Sequence, residues 1–217
     1  MKIVALTDVH GAYDRVTGIL EQEQPCDVVV VGGDITTHGS PREAEGAIRQ
    51  WSARCKTLLA VAGNMDPPSI DEHLIQLGIS INGRGVTIGD AGFFGVSGAP
   101  VTPMRTPNEV SEAEIARRIQ QGWDQISTAC WKVFVPHAPP RDTIVDRVFL
   151  GKHVGSTAVR SFIEQHQPDI VLCGHIHEAR GQDQIGSSRI VNCGPAAKGY
   201  YALVHIDKSI RIEVKEG

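Results

Sequence analysis

The chain has no Cys-x-x-Cys pair and no basic excess. It also has no apolar run approaching the ~20 residues that a membrane span requires. Each absence removes a class of protein. The five cysteines (26, 55, 130, 173, 193) are odd in number and widely spaced, so they read as buried thiols of a reducing compartment. A net charge of −4 over 217 residues, without interleaved basic and aromatic residues, leaves no electrostatic footprint for long nucleic acid. The opening segment Met1-Lys2-Ile3-Val4-Ala5-Leu6 enters a strand directly and is too short an apolar run for a signal peptide. A cytoplasmic protein with no membrane partner is expected. Repeats and low-complexity tracts are also missing, and no boundary divides residues 1–217, so a single domain is expected.

What is present alternates between two periods. Ile3-Val4-Ala5-Leu6, Val28-Val29-Val30-Val31 and Leu58-Leu59-Ala60-Val61 are continuous apolar runs, as expected of parallel strands buried on both faces. Between them, Val16, Ile19 and Leu20 mark one helix, ending before Pro25. Ala44, Ala47, Ile48 and Trp51 mark a second, which a capping box at Ser40-Pro41-Arg42-Glu43 should open. From Ile79 onward, short strands at Val86–Ile88 and Phe93–Val96 alternate with glycine-rich turns, predicting antiparallel pairs. A proline-rich loop, Ala99 to Pro107, leads to a second capping box at Ser111–Glu114. Its helix should bury Ile115, Ile119, Trp123 and Ile126. Val133-Phe134-Val135 reads as another strand. Arg141 to Val154 has no period and reads as a loop over a site, and Thr157 to Gln165 is a helix stopped by Pro168. Late strands lie near Ile185, Ile190–Asn192, Tyr200–Ile206 and Ile210–Val214.

Polar residues punctuate the ends of these strands. Asp8-Val9-His10, Gly32-Gly33-Asp34, Gly63-Asn64 and His137 each follow one, and Cys173-Gly174-His175-Ile176-His177 follows Ile170-Val171-Leu172. Loops leaving the carboxyl ends of strands in an α/β sheet converge on one crevice, so these residues can meet. Taken singly, Asp8 could belong to a helix start, and Asp34 and Asn64 could be ordinary turn residues. Two imidazoles bracketing Ile176 directly after a buried strand are a poor choice for a plain turn.

The order D-x-H, G-D, G-N, H, G-H-x-H resembles the calcineurin-like metallophosphoesterase superfamily over residues 3 to 206. Gly63-Asn64-Met65-Asp66, Pro136-His137-Ala138-Pro139-Pro140 and Gly174-His175-Ile176-His177-Glu178-Ala179-Arg180-Gly181 are similar to its small, single-domain archaeal and bacterial branch. The resemblance implies an α/β fold, a four-layer αββα sandwich of two mixed sheets flanked by helices. It also implies two divalent metal ions, one held by Asp8, His10, Asp34 and His177, the other by Asp34, Asn64, His137 and His175. Imidazole and carboxylate donors without thiolate suit Mn, Fe or Zn. Such a pair, ~3.5–4 Å apart, activates a water for in-line attack on phosphorus, so no Ser or Cys nucleophile is required. Asp34 and Asn64 then belong to the catalytic set. Bound cations make small phosphate esters suitable ligands despite the acidic balance.

One position departs from many relatives, which carry a His where this chain has Met65. A thioether has no proton to donate. His38, four residues beyond Asp34, and His153, in Gly151-Lys152-His153-Val154-Gly155-Ser156, are the candidate substitutes; each also reads as an ordinary surface or helix-start histidine. His73, His166 and His205 read as peripheral, and Cys193 in Asn192-Cys193-Gly194-Pro195 as a buried turn cysteine. The expected function is a binuclear phosphodiesterase or phosphatase of a small molecule, with diesters favoured because some branches lacking that His prefer them. The competing reading is a metal-binding scaffold or interaction module without useful turnover; a nuclease is disfavoured. Substrate recognition is expected from residues 99–110 and 141–155, and a homo-oligomer stays open.

Overall fold

The computed structural model describes residues 1–149 and 151–217. Its first third alternates strictly: β1 (Lys2–Leu6), α1 (Tyr13–Gln22), β2 (Val28–Gly32), α2 (Pro41–Ser52), β3 (Thr57–Val61) and α3 (Pro68–Gln76). Next come β4 (Gly85–Ile88), β5 (Ala91–Val96), the short pair β6 (Ala99–Pro100) and β7 (Glu109–Val110), α4 (Glu112–Asp124) and β8 (Trp131–Pro136). α5 (Thr157–His166), β9 (Ile170–Cys173), β10 (Gly181–Ile185), β11 (Ser188–Asn192), β12 (Tyr200–Ile206) and β13 (Ile210–Glu216) complete the chain.

Two mixed sheets result. One runs β13-β12-β1-β2-β3, with β1, β2 and β3 parallel and β12 antiparallel to β1. The other runs β10-β11-β9-β8-β5-β4, parallel in its middle and antiparallel at both edges. Successive side chains of a strand point to opposite faces, which explains the uninterrupted apolar runs. Ile3, Ala5, Val28, Val30, Leu59 and Val61 meet Val133, Val135, Ile170 and Leu172 between the sheets. Their neighbours Val4, Leu6, Val29, Val31, Leu58 and Ala60 face the other way, onto Val16, Leu20, Ile48, Trp51 and Leu74 of α1 to α3. Phe94, Phe134 and Val171 likewise turn outward onto Ile115, Ile119, Val159 and Phe162 of α4 and α5. The order helix, sheet, sheet, helix is the four-layer αββα sandwich.

Local expectations fail where a side chain finds a better partner. Ser40 is the N-cap of α2 and Pro41 occupies its first turn, but Ser40 makes no side-chain cap; Glu43 instead accepts the Tyr13 hydroxyl at 3.2 Å. At α4 only half the box forms: Ser111 Oγ accepts from the Glu114 N–H, while the Glu114 carboxylate binds Arg117 and Arg118. Trp123 is half-buried rather than buried. Of the cysteines, Cys130 is exposed and Cys55 half-buried, because both lie in turns that enter a strand rather than in strands. The 99–107 loop is not wholly irregular, since β6 pairs in parallel with β7.

Arg141 to Val154, of which Leu150 lies outside the described residues, is not unstructured either. Its Ile144–Asp146 turn is closed by a full capping box between Thr143 and Asp146. The fully buried Asp146 carboxylate also accepts the Gly155 N–H and pairs with His153 Nδ1 at 2.6 Å. No helix of the described residues is long and apolar enough to cross a membrane.

Candidate metal centre

Every strand-end residue singled out from the sequence lies at one rim of the sandwich. Asp8 and His10 follow β1, Asp34 follows β2, Asn64 follows β3, His137 follows β8, and His175 and His177 follow β9. Both sheets contribute, and backbone bonds join neighbouring strand ends within each sheet. The Asp8 N–H donates to Gly33 O at 2.9 Å, His10 N–H to Asp34 O at 2.8 Å, and Gly174 N–H to His137 O at 3.0 Å.

The turns are tight enough to force unusual backbone. Asp8, His10, Asp34 and His175 all adopt the left-handed region, at φ 54, 48, 50 and 68°. Non-glycine residues rarely do so, and such strain gathers at functional sites where surrounding structure imposes it. Glycines supply the remaining room. A Cβ at Gly63 would strike Asp34 Oδ1 and its backbone nitrogen, and one at Gly174 would strike Asp8 Oδ2.

The donor atoms converge. His177 Nε2 lies 3.2 Å from Asp8 Oδ1 and 3.3 Å from His10 Nε2. Asp34 Oδ2 is 3.6 Å from His10 Nε2 on one side and 3.6 Å from His137 Nε2 on the other. His137 Nε2 also faces Asn64 Oδ1 at 3.0 Å. Among the described residues, two groups of three are close enough to share an ion: Asp8, His10 and His177, and Asp8, Asp34 and His137. His175 joins neither, but its ring stands edge-on to His137 with centroids 5.2 Å apart, and its N–H donates to both Asp8 oxygens at 3.1 Å.

The protonation pattern suits cations. His137 Nδ1 is 2.8 Å from Gly32 O, and a carbonyl can only accept, so Nδ1 carries the proton. The Nε2 of that ring faces the amide oxygen of Asn64 and the Asp34 carboxylate. Burial holds His175 down to about 3, so it stays a neutral donor. Burial raises Asp34, and the neighbouring Asp8 and Asp66 charges add to this against the opposing effect of His137, bringing it to about 7. Burial also opposes ionisation of Asp8, but its hydrogen bond to His177 and the fields of His137 and His177 outweigh that and lower its pKa. The same bond to Asp8 raises His177. Buried acceptors and carboxylates facing one another are stabilised by a divalent ion between them.

The two substitute histidines differ in setting. His38 is exposed, has φ 60°, and donates its backbone N–H to Met65 O at 3.0 Å, so it stands directly beside the departure from the family pattern. His153 is tied to Asp146, 2.6 Å from its Nδ1, and the structure brings it to no candidate ligand. His73 and His166 lie in helices and His205 in β12. Cys193 is fully buried.

Other residues support the site: Asp66 and Thr37, which carried no reading of their own in the sequence, and Asn192, whose Asn192–Pro195 turn the family resemblance sets beside the site. Asp66 is fully buried and accepts from the backbone of Ile35, Thr36 and Gly63 and from the Thr36 hydroxyl, joining the Asp34 and Asn64 turns. Thr37 Oγ1 sits 2.9 Å from His10 Nδ1. Asn192 donates to Ile176 O and Val145 O, fixing the His177 turn to the 141–155 segment. Asp66 sits within the quoted Gly63–Asp66 motif, whereas Thr37 and Asn192 act through pairings that no local pattern reveals. Residues 99–110 also touch the site, since Asn108 donates from N–H to Asn64 O and from Nδ2 to Gly63 O, each at 3.0 Å.

Comparison with known proteins shows the family and the fold. A model of the family described as calcineurin-like phosphoesterase matches residues 1–179. An uncharacterized protein of Methanocaldococcus jannaschii is 36% identical over 205 residues, covering 93% of this chain and 90% of the relative. Among solved structures, a protein of Thermus thermophilus superposes with a TM-score of 0.79 at 18% identity, covering 99% of this chain and 98% of that one. A dimetal phosphatase from Danio rerio superposes at 0.70 and 12% identity, covering 100% and 96%. Both likenesses concern the fold. With its motifs in the family's order and the family's model matched over most of its length, the chain belongs to the calcineurin-like phosphoesterase family.

Proposed function

We propose that this protein is a binuclear metal-dependent phosphoesterase acting on small phosphate esters, diesters ahead of monoesters. The observation that carries the reading is Asp34 Oδ2, equidistant at 3.6 Å from His10 Nε2 and His137 Nε2. A carboxylate so placed can serve two ions at once. Asp8, His10, Asp34 and His177 would hold one, and Asp34, Asn64, His137 and His175 the other. When bound, two such ions lower the pKa of a water and neutralise charge on the transferring phosphoryl group. Imidazole, carboxylate and amide donors without thiolate favour Mn, Fe or Zn.

The chain's own residues do the positioning. His137 is held in one tautomer by Gly32 O, and Asp34 is oriented by the Met65 N–H, 2.7 Å from Oδ1. Partners of this kind preserve ligand geometry. His38 is the better placed candidate to protonate a leaving group, because its backbone is fixed to Met65 and, among the described residues, no side-chain partner engages its ring. His153 is the alternative. The test is a panel of aryl and alkyl phosphate mono- and diesters with added Mn²⁺. Turnover abolished by EDTA supports the reading; full metal occupancy with no turnover on any ester would overturn it in favour of a binding module.

A further inference from the structure

Arg180 and Lys198 stand outside the metal groups but beside them. Arg180 is the third residue after His177, at the end of the short His177–Ala179 turn. Its guanidinium lies over the Tyr200 ring, with Cζ 4.0 Å from the centroid. Its stem fills the space above Gly194, where a Cβ would come 2.7 Å from Arg180 Cδ. Among the described residues the guanidinium makes no hydrogen bond or ion pair, and Nε is buried without a partner. An arginine has five donors, and leaving a buried one unpaired is destabilising. This is unusual for a half-buried arginine, and here it lies three residues from a candidate ligand.

Lys198 approaches the same corner from another element. It ends the Ala196–Lys198 turn, in which Ala196 N–H donates to Thr7 O and Ala197 N–H to Asp8 O. That turn is thereby stitched to the strand end bearing Asp8, and Lys198 lies two residues before Tyr200. It is exposed, and no carboxylate among the described residues pairs with it, so its ammonium is available to an anion.

Resting on the phosphoesterase reading, we infer that Arg180 and Lys198 form an anion subsite beside the His177 side of the metal centre, and that the substrate carries a second anionic group. That group is a carboxylate or a further phosphate, separated from the reacting phosphorus by a short spacer. The planar guanidinium, lying over Tyr200, is suited to a two-point contact with an oxyanion, and Lys198 adds a point charge. The pair selects substrate rather than performing chemistry.

The test uses two non-hydrolysable phosphonates on Mn²⁺-loaded protein, methylphosphonate and phosphonoacetate, which differ by one carboxylate. Calorimetry on wild type should show phosphonoacetate binding about tenfold or more tighter, the value of one or two charge-assisted hydrogen bonds. Arg180→Met keeps the apolar stem over Gly194, and Lys198→Met keeps its length; each should remove most of the preference with metal content and methylphosphonate affinity unchanged. Equal affinity for the two ligands in wild type would overturn the subsite. So would variants that lower melting temperature yet keep the preference, since that result marks a packing role. Binding is read independently of turnover, so an inactive enzyme that still prefers phosphonoacetate would leave the subsite standing while defeating the phosphoesterase reading.

Discussion

The backbone N–H of Met65 donates to Asp34 Oδ1 at 2.7 Å. Residue 65 therefore orients the carboxylate that faces both histidine groups, and it does so through an atom every residue but proline possesses. The side chain that departs from the family pattern is not the part that builds the site. Met65→Ala should accordingly leave two metal ions per chain, whereas Asp34→Ala should lose both and His10→Ala mainly one. Elemental analysis of metal-saturated protein checks this; one ion or none in wild type would contradict the two-ion arrangement.

Wild type with Mn²⁺ should hydrolyse a bis-aryl phosphate, and EDTA should abolish the activity. Asn64→Ala and His175→Ala should each lower the rate at least about 10²-fold, because a misplaced ion misplaces the phosphoryl oxygen it holds. Rates within a few-fold of wild type, with metal retained, would show that neither residue is a ligand.

Removing a leaving-group acid should be felt most by poor leaving groups. His38→Ala is expected to slow alkyl esters by about 10²-fold, the lower range of general-acid effects, and nitrophenyl esters little. His153→Ala should act less, since its ring is committed to Asp146. If the single and double variants keep full activity on alkyl esters, neither histidine serves the leaving group.

Asp66 holds two site loops from beneath, accepting four hydrogen bonds at 2.7 to 3.0 Å. Asp66→Ala orphans all four buried donors and should cost about 3 kcal/mol or more in stability. Metal affinity should fall about 10–100-fold as well, as expected for a residue supporting ligands. Chemical denaturation and metal titration separate the two effects.

Far from the site, Glu23 gives a pH signature. Burial opposes its ionisation, but hydrogen bonds from Tyr201, Lys2 and Lys215 prevail and bring it to about 2. A carboxylate depressed in the folded state stabilises above its unfolded value, near 4.5. That contribution is lost as pH falls toward 2. Glu23→Gln should cost about 2–3 kcal/mol at pH 7, with the gap to wild type narrowing below pH 4.5. A gap independent of pH would assign the loss to packing instead.

Much of this arrangement is written locally. Val28 to Val31 is apolar at every position, which only a strand covered on both faces requires, and such strands predict layers on either side. The ligand candidates are legible because each sits at the carboxyl end of such a run, where the chain must turn and where a polar residue with positive φ finds a use. The spacing of His175 and His177 carries the same information. Other features depend on which side chain wins a competition. Ser40 and Glu43 satisfy the capping pattern, yet Tyr13, thirty residues away from Glu43, takes the carboxylate.

The sequence by itself determined the main strands and helices, the order of the motifs and the chemistry of the donors, because these follow from periodicity and residue type over a few neighbours, whereas the β6–β7 pair and the Ile144–Asp146 turn carry no such period. Only the tertiary structure decided that Asp34 stands equidistant between His10 and His137, that Asp66 underpins the Asp34 turn, and that Arg180 lies over Tyr200 with its Nε, among the described residues, lacking a hydrogen-bond partner. Those are relations between strand ends, some neighbours in one sheet and some brought from opposite sheets, at separations such as the 167 residues between Asp8 and His175. Distances of that kind arise from how two sheets pack face to face, and no local pattern encodes them.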